Sequence, residues 1–401
     1  MRDVSSLGRD GSWDGVRALV TGFGVSGFAA ADTLQHLGAS VTVVDEREPG
    51  DDRRREEAML LETLGVELRL GAGSTATLPD GLDLVVTSPG WRPDTPVLRA
   101  ALDSGVPVWG EVELAWRLRG PDAAPWLCLT GTNGKTTTVQ MLDEILRAGG
   151  LRSAAVGNVG RPVLEAVMDP EPLDVLAVEL SSYQLHWSSS IAAESAAVLN
   201  IAPDHLDWHG SLDAYAADKG KVYEGVQRAC VYNVEDPATE HLVREADVEE
   251  GARAIGFTLG VPGLGMLGVV DGVLADRAFV DDRRTSAAEL GAVSDLADQA
   301  PHQVQNALAA AALARAHGVE PVAVRDGLRA FRSGPHRSAE VAVIDGVRYV
   351  DDSKATNAHA AEASLRGVDS AVWIAGGLAK GARFDDLVES TRDRLRAAVL
   401  I

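Results

Sequence analysis

Residues 127–150 read LCLTGTNGKTTTVQMLDEILRAGG, and this stretch determines the predicted fold. The apolar run LCLT predicts a buried strand, and apolar residues recur at helical spacing from Val139 onward. The glycine turn between them therefore lies at a helix N-terminus, where free backbone N–H groups and the positive end of the helix dipole attract an anion. Lys135 can reach the terminal phosphates and the Thr136 hydroxyl can bind Mg²⁺, so the stretch predicts an ATP-type site.

The loop departs from the commonest phosphate-loop pattern, which has a glycine five residues before the glycine of its Gly-Lys pair. That position is Leu129, so the loop here is the shorter Gly131-x-x-Gly134-Lys135-Thr136. This departure argues against a generic P-loop NTPase. A chance glycine turn is the less favoured alternative, because the strand, the loop, the Lys-Thr pair and the amphipathic helix follow in order.

A second glycine loop lies in LVTGFGVSGFAAADTLQHLGASVTVVDERE, residues 19–48. Gly22-x-Gly24-x-x-Gly27 joins an apolar run to a helix-like segment, and Asp45 ends the next apolar run. On spacing alone this pattern predicts a nicotinamide or flavin dinucleotide site. Two phosphate loops argue against a plain dehydrogenase, because hydride transfer has no use for a nucleoside triphosphate. The glycines permit the close approach of any pyrophosphate, and nothing in them specifies nicotinamide.

Composition indicates a multidomain protein that holds anionic ligands through local loops. The 401 residues are 46% hydrophobic, which is enough for two or three cores. Lys and Arg number 37 against 59 Asp and Glu, and the formal charge of −22 repels nucleic acid and anionic lipid. Cys128 and Cys230 have no disulfide or metal spacing, which favours a reducing compartment. Without a signal-like N-terminus or a run of ~20 apolar residues, we expect a cytoplasmic protein with no membrane insertion.

Apolar runs alternate with helix-like segments along the chain, which predicts α/β units around parallel sheets. Glycine and prolines at 118–125 interrupt this pattern and divide the first two predicted domains, 1–118 and 119–333. A third domain, 334–401, is predicted to follow the linker FRSGPHR. It opens with two β-type runs across an Asp-Gly pair, VAVI-DG-VRYV, which predicts a hairpin.

Two further segments of the middle domain have distinct patterns. Residues 251–293 contain the turn-like sequences GVPGLGMLG and VVDGV, and they predict a small antiparallel insertion. The Ala-rich sequence APHQVQNALAAAALARAHGVE predicts a helix that ends near Gly318.

Polar residues follow several apolar runs, at the position where open α/β sheets bind their ligands. Glu179 ends the run LDVLAVEL, and its carboxylate is suited to orient Mg²⁺ or a water beside the γ-phosphate. A cap on the next helix is the less favoured role for it. PDHLDWHG places His205 and His209 in one turn region, where an imidazole could bind a metal. Taken singly, each is more often a solvated or capping side chain, and this interpretation is kept for His209.

A polar cluster late in the chain suits a small zwitterionic substrate. YVDDSKATN follows a β-type run and brings together Asp351, Asp352, Ser353, Lys354, Thr356 and Asn357. WIAGGLAKG supplies Lys380 in a similar arrangement, and SGPHRS supplies Arg337 at the predicted hinge. Alone, each of these cations would be interpreted as a surface side chain.

Seven motifs, in this order, resemble those of the Mur ligases: GTNGKTT, VELSSYQL, LNIAPDHLD, YAADKGKVYE, HQVQNALAA, GPHRSAEV and DDSKATN. The resemblance runs from Val16 to Lys380. It implies an α/β, three-domain Mur ligase architecture with a Rossmann-like UDP-binding domain, a P-loop-type central ATPase domain and a truncated Rossmann-like C-terminal domain.

The resemblance also implies a reaction, ATP-dependent amide formation through an acyl phosphate. The combination of VELSSYQL with DDSKATN is similar to the members that add D-glutamate to UDP-N-acetylmuramoyl-L-alanine in peptidoglycan precursor synthesis. The implied ligands are these small molecules together with ATP and two Mg²⁺ ions. We expect a monomer without a nucleic-acid partner.

Carried over position by position, the resemblance implies four groups of site residues. The ATP-binding residues are Gly131, Thr132, Asn133, Gly134, Lys135, Thr136, Thr137, Asn306, Arg337 and Asp352. The UDP-substrate-binding residues are Gly24, Val25, Ser26, Gly27, Asp45, Glu46, Ser88 and Asn158. The D-glutamate-binding residues are Lys354, Thr356 and Lys380. The metal ligands are Thr136, Glu179, His205 and Lys219, and the catalytic residues are Lys135, Glu179, His205 and Lys219.

Lys219 matches the lysine that the family carbamylates. An ammonium group cannot bind Mg²⁺, whereas a carbamate offers the hard oxygen ligands that this cation prefers. From the residue pattern alone, Lys219 would be a solvated helix lysine.

The chain stops at AAVLI, where the family continues to a substrate motif that contains Ser and Phe. Two interpretations stay open at this point. The chain is a fragment, or an incomplete gene model, of a longer ligase, which the intact upstream positions favour, or it is a shortened relative that binds nucleotides without turnover. A folylpolyglutamate-type ligase is disfavoured by DDSKATN and by the UDP-type N-terminal domain, and the dehydrogenase ranks last.

Overall fold

The computed structural model describes residues 2–332, 334, 336, 338–377 and 383–401. Within these residues the strands, in chain order, are β1 Arg17–Thr21, β2 Ser40–Asp45, β3 Glu67–Leu70, β4 Leu84–Thr87, β5 Val108–Gly110, β6 Trp126–Thr130, β7 Ser153–Gly157, β8 Val175–Glu179, β9 Ser195–Val198, β10 Ala229–Asn233, β11 Arg253–Phe257, β12 Met266–Val270, β13 Val273–Asp276, β14 Ala288–Ala292, β15 Ala339–Ile344, β16 Val347–Asp351, β17 Ala371–Ala375 and β18 Leu395–Leu400. The α-helices are α1 Val25–His36, α2 Asp52–Thr63, α3 Pro96–Asp103, α4 Glu111–Arg117, α5 Lys135–Ala148, α6 Val163–Met168, α7 Ser182–His186, α8 Leu206–His209, α9 Leu212–Gly220, α10 Pro237–Glu245, α11 Pro301–His317, α12 Pro321–Ala330, α13 Ala358–Arg366 and α14 Asp385–Thr391.

The chain divides into two compact units. The first comprises the residues up to Pro125 together with Ala155–Ala192, and the second comprises Trp126–Ala154 and Ala193–Ile401. The domain boundaries after residues 118 and 333 stay predictions. None of the helices in the described ranges combines the length and the apolar character that a membrane span requires.

The first unit contains a five-stranded parallel sheet in the order β3-β2-β1-β4-β5. Its central strand β1 is buried from Ala18 to Thr21, because parallel sheets are covered on both faces. Helix α1 packs on β1 with Ala30 and Ala31 fully buried. The chain order changes direction between β1 and β4, and open α/β sheets bind ligands at the carboxyl ends of such strands. The first glycine loop leaves β1 at this edge.

In the second unit the strands run in the order β14-β13-β12-β11-β10-β9-β6. The five strands β12, β11, β10, β9 and β6 each pair in parallel with the next strand in this order. Thr130 at the end of β6 lies opposite Val198 at the end of β9. Helices α5, α11 and α12 pack against one another. Most of α11 is buried, because its alanine side chains permit close packing, and it ends before Gly318, which has a φ of 103°. The predicted end of this helix is confirmed.

The predicted antiparallel insertion at 251–293 is confirmed only in part. β12 pairs antiparallel with β13, and β13 pairs antiparallel with β14. β11 instead pairs in parallel with β10, from Ala229 opposite Arg253 to Asn233 opposite Phe257. The prediction was wrong for β11, because the composition of a short segment does not specify the strand with which it pairs.

The predicted Asp-Gly hairpin is confirmed. β15 and β16 pair antiparallel, and the turn residues Asp345 and Gly346 have φ angles of 51° and 80°, the positive values of a type I′ turn. Farther along, β17 and β18 form a parallel pair. Helices α13 and α14 share a small core of Ala361, Leu365 and Leu387.

Candidate active site

The phosphate loop of the second unit runs from the end of β6 at Thr130 to the start of α5 at Lys135. Gly134 precedes the helix with φ 82° and ψ −13°, a left-handed conformation that favours glycine. A Cβ atom at Gly134 would also overlap the side-chain oxygen of Asn306 on α11. Two independent restraints therefore require glycine here, and the predicted ATP-binding residue Asn306 lies against the loop.

Asn200, just after β9, holds this loop in shape. Its Oδ1 accepts from the N–H of Asn133 at 2.8 Å, and its Nδ2 donates to the Asn133 carbonyl at 3.1 Å. The Asn200 carbonyl accepts from the N–H of Thr132 at 2.9 Å, and Lys135 Nζ donates back to the Thr132 carbonyl at 2.9 Å. Asn200 lies within the motif LNIAPDHLD, but the sequence assigned no role to it, because an asparagine after a strand has no distinctive pattern of its own.

Lys219 on α9 contacts the same loop from the protein interior. The residue is 1% exposed, and its Nζ donates to the Gly131 carbonyl at 2.8 Å and to Thr130 Oγ1 at 3.3 Å. The ammonium also lies 4.7 Å from the ring centroid of Tyr215. The solvated position that the residue pattern alone predicts for Lys219 is therefore wrong. Burial of a lysine is costly unless its charge is compensated or changed, so this position requires a specific explanation.

His205 and His209 lie at the two ends of the short helix α8. His205 precedes the helix with a φ of 53°, and its Nε2 lies 3.6 Å from Asp204 Oδ2. The side chain of His209 is 1% exposed, and its Nδ1 lies 3.0 Å from the carboxylate of Asp218. Lys221 Nζ pairs with the same carboxylate at 2.9 Å. The interpretation of His209 as a solvated or capping side chain was wrong, because it is buried against a charged partner.

The segment that carries the predicted D-glutamate residues joins β16 to α13. Asp352 Oδ1 accepts from the N–H of Ser338 at 3.0 Å, and Oδ2 accepts from the Ser364 hydroxyl at 2.5 Å. The Asp352 carboxylate is thus anchored at both oxygens. Lys354 and Thr356 follow it and are exposed. Their side chains are therefore accessible to a small molecule.

In the first unit the glycine loop joins β1 to α1. Gly22 has a φ of 95°, and a Cβ atom there would overlap the hydroxyl of Ser88, which follows β4. A Cβ atom at Gly27 would overlap the Gly22 carbonyl oxygen. At Gly24, by contrast, a Cβ atom would meet no heavy atom of the described residues within 4 Å, apart from its chain neighbours. Gly24 therefore faces open space at the start of α1, where a ligand can approach the backbone.

Asp45 and Glu46, which the family resemblance assigns to the UDP-substrate, anchor the loops at this edge. Asp45 is buried, and its Oδ2 accepts from the N–H of Phe23 at 2.8 Å. Glu46 accepts from the N–H groups of Gly73 at 2.7 Å and Thr75 at 3.1 Å, and the Thr75 hydroxyl also donates to it. The hydroxyl first, and then the two N–H groups, lower the pKa of Glu46. The edge thus carries two fixed carboxylates.

Glu179 ends β8 in the same unit, with 1% of the residue exposed. Asn158 Nδ2 donates to Glu179 Oε1 at 2.9 Å, and the Asn158 N–H donates to the Glu179 carbonyl at 2.9 Å. The other carboxylate oxygen, Oε2, is buried without a hydrogen-bond partner in the described residues. Such atoms are rare, because leaving one unpaired costs about 1–3 kcal/mol. Carboxylate oxygens are ligands that Mg²⁺ prefers, so Glu179 fits a cation.

The predicted site residues fall into both units. Those in the first unit are Gly24, Val25, Ser26, Gly27, Asp45, Glu46, Ser88, Asn158 and Glu179. Those in the second unit are Gly131, Thr132, Asn133, Gly134, Lys135, Thr136, Thr137, His205, Lys219, Asn306, Asp352, Lys354 and Thr356. Arg337 and Lys380 lie outside the described residues. Over the described ranges, no three His, Cys, Asp or Glu side chains converge on one metal position.

The chain matches known families over most of its length. Residues 129–314 match the Mur ligase middle domain, and residues 16–110 match the Mur ligase MurD-like, N-terminal domain. A Streptomyces avermitilis protein named UDP-N-acetylmuramoylalanine--D-glutamate ligase is 65% identical over 390 residues, which cover 97% of this chain and 83% of that protein. The chain belongs to the Mur ligase family.

Other Mur ligases agree with this assignment. A Leifsonia xyli protein of the same name is 55% identical, over 97% of this chain and 78% of that protein. The crystal structure of MurF from Acinetobacter baumannii aligns with a TM-score of 0.56 at 18% identity, over 97% of this chain and 82% of that one. MurC from Thermotoga maritima aligns with a TM-score of 0.51 at 19% identity, over 96% and 90%. These two similarities concern the fold, and the predicted α/β Mur ligase architecture is confirmed.

Proposed function

We propose that the chain is an ATP-dependent ligase that adds D-glutamate to UDP-N-acetylmuramoyl-L-alanine in peptidoglycan precursor synthesis. The 65% identity to the Streptomyces avermitilis ligase carries this proposal. The phosphate loop supports it, because Lys135 and the buried Lys219 each donate to a carbonyl of that loop.

The proposed reaction has two steps. A carboxylate oxygen of the UDP-substrate attacks the γ-phosphorus of ATP, and the bond from that phosphorus to ADP breaks. The amine of D-glutamate then attacks the acyl carbon, the C–O bond to phosphate breaks, and the amine loses its proton to solvent or a nearby base. Phosphorylation replaces a poor leaving group with phosphate, so the protein has to position the reactants and neutralise their charge.

We assign ATP to the second unit. The backbone N–H groups of the first turn of α5 face its phosphates, and the Lys135 ammonium neutralises the terminal ones. Lys135 Nζ lies 2.9 Å from the Thr132 carbonyl, so the ammonium is already held at the loop. The assigned ATP contacts are Gly131, Thr132, Asn133, Gly134, Lys135, Thr136, Thr137, Asn306, Arg337 and Asp352.

The residues also fit two Mg²⁺ ions, which would neutralise phosphate charge when bound. The proposed ligands are Thr136, Glu179, His205 and carbamylated Lys219. The unpartnered Oε2 of Glu179 supports its role as a carboxylate ligand. On Lys219, a carbamate replaces a buried ammonium with oxygens of the opposite charge, which suit a hard cation.

We assign the other substrates by the same resemblance. The proposed UDP-substrate contacts are Gly24, Val25, Ser26, Gly27, Asp45, Glu46, Ser88 and Asn158, and the proposed D-glutamate contacts are Lys354, Thr356 and Lys380. The open space at Gly24 supports the first set. We further propose that the protein acts as a cytoplasmic monomer without nucleic acid, with domains 1–118, 119–333 and 334–401.

Measurement of ADP release tests the proposed function. We expect ADP only when UDP-N-acetylmuramoyl-L-alanine and D-glutamate are both present, together with an equal amount of the ligated product by mass spectrometry. L-glutamate in place of D-glutamate is the matched control and should give no product. ATP hydrolysis that is indifferent to both substrates would contradict the proposal.

A further inference from the structure

Two asparagine side chains join the phosphate loop to the segment ahead of α13. Asn357 Nδ2 donates to Asn133 Oδ1 at 2.9 Å, and Asn133 Nδ2 lies 3.4 Å from Asn357 Oδ1. Asn133 Nδ2 also lies 2.9 Å from His359 Nδ1. The two asparagines are 224 positions apart in the sequence, so this amide pair is a contact between distant parts of the chain.

The hydrogen-bond partners of the pair assign each amide orientation. Asn357 Oδ1 accepts from the N–H of Ala360 at 2.9 Å, so this atom is the oxygen and the other is the amino group. The amino group of Asn357 then requires an acceptor, which Asn133 Oδ1 provides. Asn133 consequently presents its own amino group to His359, whose Nδ1 must carry a lone pair. Every member of the cluster is therefore matched in donor and acceptor.

Local contacts fix the position of each asparagine of the pair. The backbone of Asn133 is fixed on its N–H and its carbonyl by Asn200, at 2.8 and 3.1 Å. Asn357 is the N-cap of α13, with φ −143° and ψ 166°. The pair thus sets a fixed spacing between the phosphate loop and the start of α13.

Asn357 Nδ2 reaches one more group, Asp204 Oδ2, at 3.4 Å. Asp204 Oδ1 in turn accepts from the N–H of His205 at 2.9 Å. Asn357 therefore contacts both the loop assigned to ATP and the turn that carries a proposed metal ligand. Its own segment carries Lys354 and Thr356, the two described residues assigned to D-glutamate.

We infer that Asn357 is a positioning residue: its bond to Asn133 holds the D-glutamate segment at a fixed distance from the phosphate loop. The amine has to lie about 3–3.5 Å from the acyl carbon that it attacks, and a misplacement of about 1 Å is costly, so a loosened segment lowers the rate and weakens D-glutamate binding. ATP binding should change little, because Asn200 shapes the loop. This inference rests on the proposed function and adds a residue to it.

Two substitutions of Asn357 distinguish its proposed positioning role from its role as the N-cap of α13. In Asn357→Asp the carboxylate keeps the cap on Ala360, because Asp and Asn cap helices about equally well. It has no amino group for Asn133 and places a negative charge beside Asp204. In Asn357→Ser the hydroxyl also keeps the cap, but it is too short to reach the loop. Both variants should melt within a few degrees of the wild type.

The test is a full kinetic comparison of these variants with the wild type. We expect kcat to fall and the KM for D-glutamate to rise, so that kcat/KM for D-glutamate drops about tenfold or more, with Asp worse than Ser. The KM values for ATP and the UDP-substrate should stay within about threefold. Wild-type kinetics in Asn357→Asp, or an equal loss for all three substrates, would overturn the inference.

A double-mutant cycle with Asn133→Ser supplies the second readout. If the two asparagines act through each other, the double variant Asn133→Ser/Asn357→Ser should lose little more kcat/KM for D-glutamate than the worse single variant. Losses that multiply would show independent roles and overturn the inference. A wild-type protein without D-glutamate-dependent ADP release would instead contradict the proposed function, so the two failures are distinguishable.

Discussion

The two glycine loops of this chain use one backbone arrangement with opposite side-chain charges around it. Each follows a buried strand, turns at glycines and leads into a helix. At the loop of the second unit, Lys135 Nζ and Lys219 Nζ donate to loop carbonyls at 2.9 and 2.8 Å. At the loop of the first unit, the carboxylates of Asp45 and Glu46 accept backbone N–H groups.

This difference separates what glycines specify from what charges specify. Glycine spacing allows a phosphate to approach a helix N-terminus, and it does so equally in both loops. A triphosphate carries more charge than N–H groups neutralise, so it suits the second loop, where the Lys135 ammonium and the proposed Mg²⁺ ions add positive charge. The pyrophosphate of a UDP-sugar carries less charge, and it is compatible with a loop whose neighbours are acidic. We therefore assign ATP to the second loop and UDP to the first.

Removal of the buried Lys219 side chain beside the second loop should have the largest effect, a loss of turnover. We expect Lys219→Ala to lower kcat on the order of 1,000-fold, because the variant would lose the proposed carbamate and with it the Mg²⁺ that the carbamate would hold near the phosphates. Added bicarbonate should not restore turnover. In a ¹³C NMR spectrum with labelled bicarbonate, the wild type should show a carbamate carbon that the variant lacks.

Lys221→Ala is the matched control for that experiment. Lys221 lies two residues farther on, in the 3₁₀ turn after α9, and its Nζ pairs with Asp218 at 2.9 Å with 30% of the Lys221 side chain exposed. Its loss should change kcat by no more than about threefold, as for an ordinary ion pair. Normal turnover in Lys219→Ala would refute the carbamate assignment.

A methyl group at Gly134 in the second loop should have the next largest effect, a loss of ATP affinity. In Gly134→Ala the new Cβ would overlap the Asn306 oxygen, at a backbone φ of 82° that alanine disfavours. We expect ATP affinity to fall about 100-fold or more, measured by calorimetry, while UDP-substrate affinity stays within about threefold. Equal losses for both ligands would show that the loops are not independent.

The corresponding change in the first loop should have the reverse selectivity and a smaller effect. The Cβ position at Gly24 is free of chain atoms within 4 Å, so Gly24→Val should fold and block only the ligand. We expect UDP-substrate affinity to fall about tenfold and ATP affinity to stay nearly unchanged. Gly24→Ala, with a smaller side chain, should lie between the wild type and the valine variant. A loss of ATP affinity in Gly24→Val would break the assignment.

The smallest expected effect concerns stability of the first unit and leaves both loops untouched. Glu111 at the start of α4 accepts from the N–H of Leu164 at 2.7 Å, and its Oε2 is buried without a partner in the described residues. Burial raises the pKa of Glu111 to about 7, and Glu165 nearby adds to the rise. The folded state therefore binds a proton more tightly than the unfolded state, whose carboxyl pKa is 4.5.

The stability from Glu111 is fully present below pH 4.5 and is lost as the pH rises through about 7. The loss amounts to about 3 kcal/mol at most. Glu111→Gln resembles the protonated side chain, so we expect it to match the wild type near pH 5 and to melt higher than the wild type at pH 8. Thermal melts at both pH values check this, and ATP affinity should not change. A variant that is less stable at pH 8 would contradict the assignment.

Local patterns predicted some of these features well. The Asp-Gly pair fixed the hairpin at Asp345, and the glycine after an Ala-rich run marked the end of α11 at Gly318, because both depend on a few neighbouring residues. The phosphate loop of the second unit, with Gly134, was likewise predictable from the strand, turn and helix patterns around it. Each of these features depends on conformations available within a few residues.

The residue pattern could not predict contacts between residues that are distant in the sequence. Lys219 lies on a helix whose spacing predicts solvent exposure, yet it is buried and donates to the carbonyl of Gly131, 88 positions away in the sequence. The partner of Asn357 is 224 positions away, and β11 takes a parallel neighbour that its composition does not reveal. The family resemblance indicated Lys219 as a site residue, whereas Asn200 and Asn357 lie within its motifs LNIAPDHLD and DDSKATN without an assigned role.

Simultaneous binding tests most directly whether the two loops hold different nucleotides. Protein saturated with UDP-N-acetylmuramoyl-L-alanine is titrated with a non-hydrolysable ATP analogue in a calorimeter with Mg²⁺ present. We predict one analogue bound per chain, with an affinity no weaker than that of the protein without UDP-substrate. Displacement of the UDP-substrate by the analogue would contradict the assignment of separate sites to the two loops.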